Sequence, residues 1–141
     1  MEIRRAGAGE NASINAVVSR VVNDTYAGQW TAHIDIGEDD WSASWLAVID
    51  GAIAGIVMTE HDWVTNLWVD FAHHRHGIGR QLLATAEREI AGRGIATAWL
   101  RVVSTNARAV AFYNAVGWQR SHEIMREGIP VPMIVYTKQL S

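Results

Sequence analysis

The stretch HHRHGIGRQLL, residues 73–83, combines two glycines with basic side chains directly before a predicted helix. Gly77 and Gly79 let the backbone approach a bound group closely, because glycine has no Cβ and accepts positive φ angles. Arg75 and Arg80 supply cationic donors, and the first turn of a helix presents unpaired N–H groups and the positive end of its dipole. Together these features predict a phosphate site. From this stretch alone, an ordinary strand-to-helix turn explains the glycines equally well.

Two common phosphate-binding loops do not fit this stretch. A Walker loop has Lys and then Ser or Thr after its last glycine, whereas Gly79 is followed by Arg80 and Gln81. A dinucleotide-binding fingerprint has a third glycine, and Leu82 stands in its place. That fingerprint also belongs to strands that alternate with helices, and the strands before this loop form a meander.

The elements that position the loop follow from hydrophobic periodicity. Apolar residues at helical spacing predict helices over 10–22, from Gly79 to a stop at Gly92 and Gly94, and after the N-cap residues 104–106 as far as Gly117. Apolar and β-branched runs predict strands at 2–5, 45–49, 52–59, 63–69, 97–103, 118–125 and 131–137, with Asp50-Gly51 as a hairpin turn. We therefore predict an α/β (α+β) fold, with a mixed, mostly antiparallel sheet of about six to seven strands flanked by helices.

Length and composition limit the classes of function. The 141 residues fit one domain, 1–141, and the net charge of -3 gives no reason to expect nucleic acid or an anionic membrane as a partner. No apolar run approaches the roughly 20 residues of a membrane span, and the N-terminus lacks a secretory core, so we expect a cytoplasmic protein. The chain has no cysteine, which excludes thiolate nucleophiles and Cys-based zinc sites. His73, His74 and His76 lack a carboxylate at ligand spacing, so we expect no metal.

A second motif lies after the strand at 97–103. Residues 106–118 read NARAVAFYNAVGW, with Asn106, Ala109, Phe112, Tyr113 and Gly117 at fixed intervals. Together with LWVDFAHHRHGIGRQLL at 67–83, this stretch resembles the two motifs of the GNAT superfamily of acyl-CoA-dependent N-acyltransferases. Both motifs occur in the family's order, one helix and one strand apart, and the resemblance spans nearly the whole chain.

The resemblance implies where coenzyme A binds. The loop would wrap the pyrophosphate, while Leu67 and Val69 would offer backbone groups to the pantetheine arm as to an added strand. The cofactor-binding residues predicted in this way are Leu67, Val69, His74, Arg75, His76, Gly77, Ile78, Gly79, Arg80 and Asn106. His74 is a departure, because the family usually has Arg or Gln there, and its side-chain contact would be weaker or dependent on pH.

The resemblance also implies direct transfer of an acetyl group from acetyl-CoA to an amine while both substrates are bound. Tyr113 stands where the family places a general acid for the departing thiolate; the other interpretation of Tyr113 is a core aromatic beside Phe112. No general base is identified, because Trp63 occupies the place of the family's carboxylate. By strand alternation Thr65 and His61 share the face of Trp63, so a water relay past Thr65 is conceivable. Glu60 and Asp62 fit solvated turn residues.

The acceptor amine stays open at this point. In the family it is selected by the segments that correspond here to residues 25–41 and 125–133. The aromatic residues of 25–41 together with Glu38, Asp39 and Asp40 suit a cationic or amphipathic amine, but a solvated acidic loop with Trp30 and Trp41 in the core fits as well. Both small-molecule and peptide amines are candidates, and a homodimer is conceivable by family habit. The alternative function is a non-catalytic acyl-CoA-binding sensor or partner-binding module.

Overall fold

The computed structural model describes residues 1–27, 40–73 and 77–140 of the chain. These ranges hold three α-helices: α1 (Asn11–Tyr26), α2 (Ile78–Gly92) and α3 (Ala107–Ala115). They also hold a short 3₁₀ helix (Phe71–His73) and seven strands: β1 (Glu2–Arg5), β2 (Trp45–Ile49), β3 (Ala52–Glu60), β4 (Trp63–Val69), β5 (Thr97–Val103), β6 (Gln119–Arg126) and β7 (Ile129–Gln139). No helix in the described ranges is long and apolar enough to cross a membrane.

The seven strands form one sheet in the order β1-β2-β3-β4-β5-β7-β6. Every neighbouring pair is antiparallel except β4 and β5, which are parallel and joined through α2. The predicted mixed, mostly antiparallel sheet with flanking helices is confirmed. The predicted hairpin is confirmed too, because Asp50 and Gly51 between β2 and β3 have φ angles of 50° and 79°, as a type I′ turn requires.

The two faces of the sheet bury separate hydrophobic clusters. On one face, α2 and α3 pack through Leu82, Ile90 and Tyr113 against inward residues of β3, β5 and β7. On the other face, α1 packs through Ile14, Val18 and Val22 against residues of the same strands. Alternation along each strand assigns neighbouring residues to opposite clusters, as for Ile56 and Val57 in β3. The sheet is therefore buried on both faces over most of its width.

The parallel pair β4 and β5 separates along its length. The two strands, both fully described, share one residue pair in register, Trp63 with Trp99, and the Trp99 N–H donates to the Asp62 carbonyl at 2.9 Å. Beyond that point β4 carries a bulge, because the register with β3 shifts at Thr65, and a bulge bends its strand. The strands therefore leave an open seam toward their C-terminal ends, where the two motifs follow. We call this gap the β4/β5 seam.

Candidate functional site

A cavity of about 590 Å³ lies at the open end of the β4/β5 seam. Its walls come from both motifs: Leu67 and Val69 of β4, the first turn of α2, and the segment that runs from Thr105 into α3. The predicted residues that line it are Leu67, Val69, Gly77, Ile78, Gly79, Arg80, Asn106 and Tyr113. His74, Arg75 and His76 lie outside the described residues. The fold thus brings together residues that are up to 46 positions apart in the chain (from 67 to 113).

The N-terminus of α2 forms one wall of the cavity. Gly77 is its N-cap, with a φ of 73°, and no side chain in the described part of the chain caps the helix there. Positive φ disfavours any residue with a Cβ, which explains glycine at this position. The first-turn N–H groups and the helix dipole favour an anion at this end of the helix, and Arg80 in the same turn adds a positive charge beside the cavity.

Gly79 keeps space open inside the cavity. A Cβ at this position would lie 3.5 Å from Cζ of Phe112 and 3.7 Å from Cγ2 of Val69. These are ordinary contact distances, so the fold itself tolerates a methyl group here. The missing side chain instead enlarges the floor of the cavity between α2, β4 and α3.

Asn106 links the start of α3 to the end of α1. Its Oδ1 accepts a hydrogen bond from the Ala109 N–H at 3.2 Å, which confirms the predicted N-cap, and its Nδ2 donates to the Tyr26 hydroxyl at 3.4 Å. Burial raises the pKa of Tyr26 above its usual value, so this phenol stays protonated at neutral pH. The sequence offered no signal for Tyr26, because α1 and α3 meet only in the folded protein.

Tyr113 lies on α3 with 8% of its surface exposed. Its ring packs against Phe112, Tyr136 and Trp118, with centroid distances of 5.4, 5.9 and 6.5 Å. The hydroxyl makes no hydrogen bond within the described part of the chain, and the residue lines the cavity. Burial, and then the neighbouring Tyr26, raises the pKa of Tyr113 well above its usual value. The phenol therefore keeps its proton and can donate it as a hydrogen bond.

No carboxylate takes the place of a general base along the described seam. Trp63 stacks on Trp99 at 6.2 Å, and the Thr65 hydroxyl donates to the Met58 carbonyl at 3.2 Å. The expectation that His61 shares the strand face of Trp63 is wrong, because His61 lies in the β3–β4 turn with a φ of 53°. The described residues also contain no group of three or more metal-ligating side chains.

The structure adds residues that the sequence had not assigned to the cavity, among them Phe71, His73 and Arg108. Nδ1 of His73 is buried and has no hydrogen-bond partner among the described residues. Arg108 comes two residues after Asn106, so its cationic side chain beside a helix start was a usable signal. Of residues 25–41, for which the resemblance implies a role in selecting the acceptor, Trp30, Glu38 and Asp39 lie outside the described residues.

Two residues at the end of that segment are described. Trp41 is fully buried, and its backbone N–H and Nε1 donate to Asn11 and Asn15 of α1 at 2.7 and 3.2 Å, as the core interpretation predicts. Asp40 is exposed and accepts from the Ser42 N–H at 2.9 Å. Its carboxylate thus closes a turn.

A second cavity, of about 630 Å³, lies between β1, β2 and α2. Glu89 lies on its wall, and the carboxylate accepts from Thr59 and Trp45 at 2.5 and 2.9 Å and pairs with Arg5 at 2.7 Å. None of the predicted cofactor or catalytic residues lines this cavity. We therefore place the candidate site at the β4/β5 seam, although its cavity is slightly smaller.

The sequence model of the acetyltransferase (GNAT) family matches residues 17–118, a stretch that contains both motifs and every described wall of the seam cavity. The chain belongs to the GNAT family. Over 70 residues, this GNAT chain is 39% identical to the ribosomal protein bS18-alanine N-acetyltransferase of Escherichia coli K12. The aligned stretch covers 50% of this chain and 47% of that enzyme. The chain thus spans about half the length of the curated relatives that it matches.

Solved structures support the same fold. A ribosomal-protein-alanine N-acetyltransferase from Brucella melitensis matches with a TM-score of 0.79 and 17% identity, covering 99% of each chain. An N-acetyltransferase from Thermoplasma acidophilum, solved in complex with coenzyme A, matches with a TM-score of 0.75 and 17% identity, covering 98% of each chain. At these identities the likeness shows that this GNAT chain shares their fold.

Proposed function

We propose that this protein is an N-acetyltransferase that moves an acetyl group from acetyl-CoA to an amine by direct transfer in a ternary complex. The observation that carries the proposal is the cavity at the β4/β5 seam, where the two GNAT motifs meet around the first turn of α2 and Tyr113. The coenzyme A bound to the Thermoplasma acidophilum relative supports acetyl-CoA as the acyl donor. Cytoplasmic location and a homodimer stay predictions.

The chain's residues divide the work along the cavity. The first turn of α2, with Arg80, would bind the pyrophosphate, and Leu67 and Val69 would hold the pantetheine arm in the seam. The neutral amine nitrogen would attack the thioester carbonyl, the proton that it loses would pass to solvent water, and the C–S bond would break with its electron pair on the sulfur. Tyr113 would donate its hydroxyl hydrogen to the departing thiolate. A free thiol has a pKa of about 8.5, which is below the pKa of the buried phenol. We therefore expect Tyr113 to stabilise the departing thiolate mainly by a hydrogen bond, and less by transferring its proton completely as the C–S bond begins to break.

The acceptor class is narrowed only by the relatives. The Escherichia coli relative is named for the alanine of ribosomal protein bS18, so a peptide amine is one candidate for this chain. A small-molecule amine is the other. A specific observation also supports the alternative function of an acyl-CoA sensor, since Trp63 and Trp99 stack where a basic carboxylate would be needed.

Calorimetry and thiol release together test the proposal. We expect acetyl-CoA to bind, and free thiol to form above background with at least one amine from a panel of small amines, lysine derivatives and peptides that begin with alanine. Binding without thiol release from any acceptor would support the sensor instead. Absence of binding would contradict both functions.

A matched pair of variants tests the phosphate assignment. Arg80→Gln removes a charge beside the cavity, while Arg88→Gln removes one from an exposed position two turns further along α2. Loss of a charge-assisted hydrogen bond corresponds to an affinity loss of about 10- to 100-fold. We expect Arg80→Gln to lose this much affinity for coenzyme A, and Arg88→Gln to bind coenzyme A as the original protein does. Neither variant should lose affinity for pantetheine, because pantetheine lacks the pyrophosphate.

A further inference from the structure

The floor of the β4/β5 seam carries an arginine held over a tryptophan pair. In β5, Ala98, Leu100 and Val102 face the cluster beneath α2 and α3, so Arg101 points to the opposite face by alternation. There the Arg101 guanidinium carbon lies 5.4 Å from the ring centroid of Trp63, which stacks on Trp99 at 6.2 Å. A cation over an aromatic face is attracted to it, so the Trp63 ring orients the guanidinium.

A second arginine lies near Arg101. Arg126 is exposed at the end of β6, where it pairs in register with Ile129 of β7. Burial, and then repulsion from Arg126, lowers the pKa of the Arg101 guanidinium. Ile129 packs against the cluster beneath α1, so its register partner Arg126 lies on the same face of the sheet as Arg101.

These two charges have no carboxylate partner. Five described arginines pair with a carboxylate, namely Arg4, Arg5, Arg20, Arg93 and Arg120, whereas Arg80, Arg88 and Arg108 also form no ion pair with a described residue. Arg101 and Arg126 form no ion pair with any described residue. Two close cations without a counter-ion form a site that an anion would stabilise by neutralising their repulsion.

The position of Arg101 relates it to the reaction. If the pyrophosphate lies at the start of α2 and the pantetheine arm passes Val69 and then Leu67, the thioester lies further along the seam, toward Trp63. Arg101 is two residues beyond the Trp63–Trp99 pair on the other strand, across the seam from Thr65. An acceptor amine at the thioester would therefore have Arg101 beside it.

We propose that Arg101 and Arg126 bind an anionic group of the acceptor, a carboxylate or a phosphate, and so select amines that carry a negative charge near the reacting nitrogen. The inference rests on the proposed acetyl transfer and adds the substrate class to it. It replaces the expectation of a cationic acceptor, for which Asp40 gives no support, because its carboxylate closes a turn with Ser42.

Matched acceptors test the charge preference directly. An acceptor from the panel that supports thiol release from acetyl-CoA is prepared in four forms. The forms differ only in the residue that carries the reacting amine or lies next to it, which is glutamate, glutamine, phosphoserine or serine, and each has an amidated C-terminus. We expect kcat/KM at saturating acetyl-CoA to be about tenfold or more higher for an anionic form than for its neutral partner, through a lower KM. Preference within the glutamate pair indicates a carboxylate, and preference within the phosphoserine pair indicates a phosphate.

Three variants assign the preference to the arginines. Arg101→Gln and Arg126→Gln should each reduce the anionic preference severalfold while coenzyme A affinity and the thermal melt stay unchanged, and Arg101→Lys should retain most of it. Arg88→Gln makes the same change in net charge on α2 and should keep the full preference.

The outcomes separate the two levels of inference. Equal kcat/KM for charged and neutral forms, a preference for cationic forms, or an anionic preference that survives both glutamine variants would overturn the anion site while leaving acetyl transfer in place. Absence of thiol release with every amine would overturn the proposed function and the anion site with it.

Discussion

Tyr113 shows how one side chain serves both packing and chemistry. Its ring is held by Phe112, Tyr136 and Trp118, while its hydroxyl makes no hydrogen bond in the described chain and the residue lines the cavity. The core-aromatic interpretation explains the ring but not a buried hydroxyl that has no hydrogen bond in the described chain. At the residue scale, the two roles are therefore separable by removing one oxygen atom.

Tyr113→Phe should reduce turnover by about 10²-fold or more, the usual contribution of a general acid. Acetyl-CoA affinity and the thermal melt should change little, because the ring keeps its neighbours. Steady-state thiol release at saturating acetyl-CoA, with a melt of the same preparation, measures both. Tyr136→Phe is the control, since Tyr136 is a buried tyrosine of the same cluster that does not line the cavity. Equal activity of the two variants would assign the proton to water or substrate.

The start of α2 illustrates how one element combines two glycines with different roles. Gly77 has a φ of 73° and no neighbour within 4 Å of a built Cβ, whereas Gly79 lacks strain but faces Phe112 and Val69. The first glycine is required by the backbone, and the second is required only by the volume of the cavity. Within this one helix start, Gly77 is thus needed for the backbone conformation and Gly79 for the space that a ligand would occupy.

Gly77→Ala and Gly79→Ala should therefore impair different properties, the first folding stability and the second coenzyme A binding. Gly77→Ala should destabilise the protein by about 1–2 kcal/mol, because the left-handed conformation is unfavourable for alanine. Gly79→Ala should leave the free energy of unfolding nearly unchanged but weaken coenzyme A binding, because its methyl group enters the cavity. Urea denaturation and calorimetry measure the two quantities. Unchanged affinity in Gly79→Ala would show that coenzyme A does not use this part of the cavity.

The junction of β1 and α1 depends on Glu10. Its carboxylate accepts from Arg4 at 2.7 and 2.9 Å and from the Gly7 N–H at 2.6 Å. The hydrogen bonds from Arg4 and Gly7 lower the pKa of Glu10 from 4.5 to about 2. A carboxylate whose pKa is depressed in the folded state adds stability that is fully present above the unfolded pKa and is lost as pH falls through the folded one.

Glu10→Gln should accordingly be less stable than the original protein at pH 7, and the difference should shrink as the pH falls from about 4.5 toward 2. Urea midpoints measured across this range give the comparison. Glu127→Gln serves as control, because Glu127 is exposed and forms no ion pair with a described residue. A difference for Glu10→Gln that does not depend on pH would contradict the charged interaction.

On the scale of the whole molecule, one sheet joins the two hydrophobic clusters and the site. The strands order the helices so that α1 lies on one face and α2 and α3 lie on the other. Trp41 is buried in the cluster beneath α1, and Trp118 is buried in the cluster beneath α2 and α3. We propose that residues 1–141 form a single domain, since the clusters share the central strands.

A single domain predicts one cooperative unfolding transition. Tryptophan fluorescence, which reports both clusters, and far-ultraviolet circular dichroism should give coincident denaturation curves. Saturating coenzyme A should raise the melting temperature, because a ligand that binds only the folded state stabilises it. Separated transitions for the two signals would contradict the single domain, whereas an unchanged melt with the ligand would contradict binding.

The sequence by itself determined the local features and the family. Periodicity and turn chemistry predicted every α-helix and strand of the described chain to within a few residues, but not the 3₁₀ helix Phe71–His73. The Asp50-Gly51 hairpin and the Asn106 cap follow from interactions between near neighbours. The two motifs were enough to predict the family and the site residues at the start of α2, because their glycines and polar residues act through local backbone geometry. Arg108 could have been added on the same grounds.

Only the tertiary structure decided the features that depend on distant contacts. The bulge at Thr65 overrode the alternation used to place residues on β4, and the opening of the seam depends on how β4 and β5 diverge after one shared pair. Tyr26 reaches Asn106 across 80 positions, and Arg101 and Arg126 lie on the same face of the sheet because their strands both pair with β7. Such pairings have no signature in local sequence, because they are set by the order of strands in the sheet.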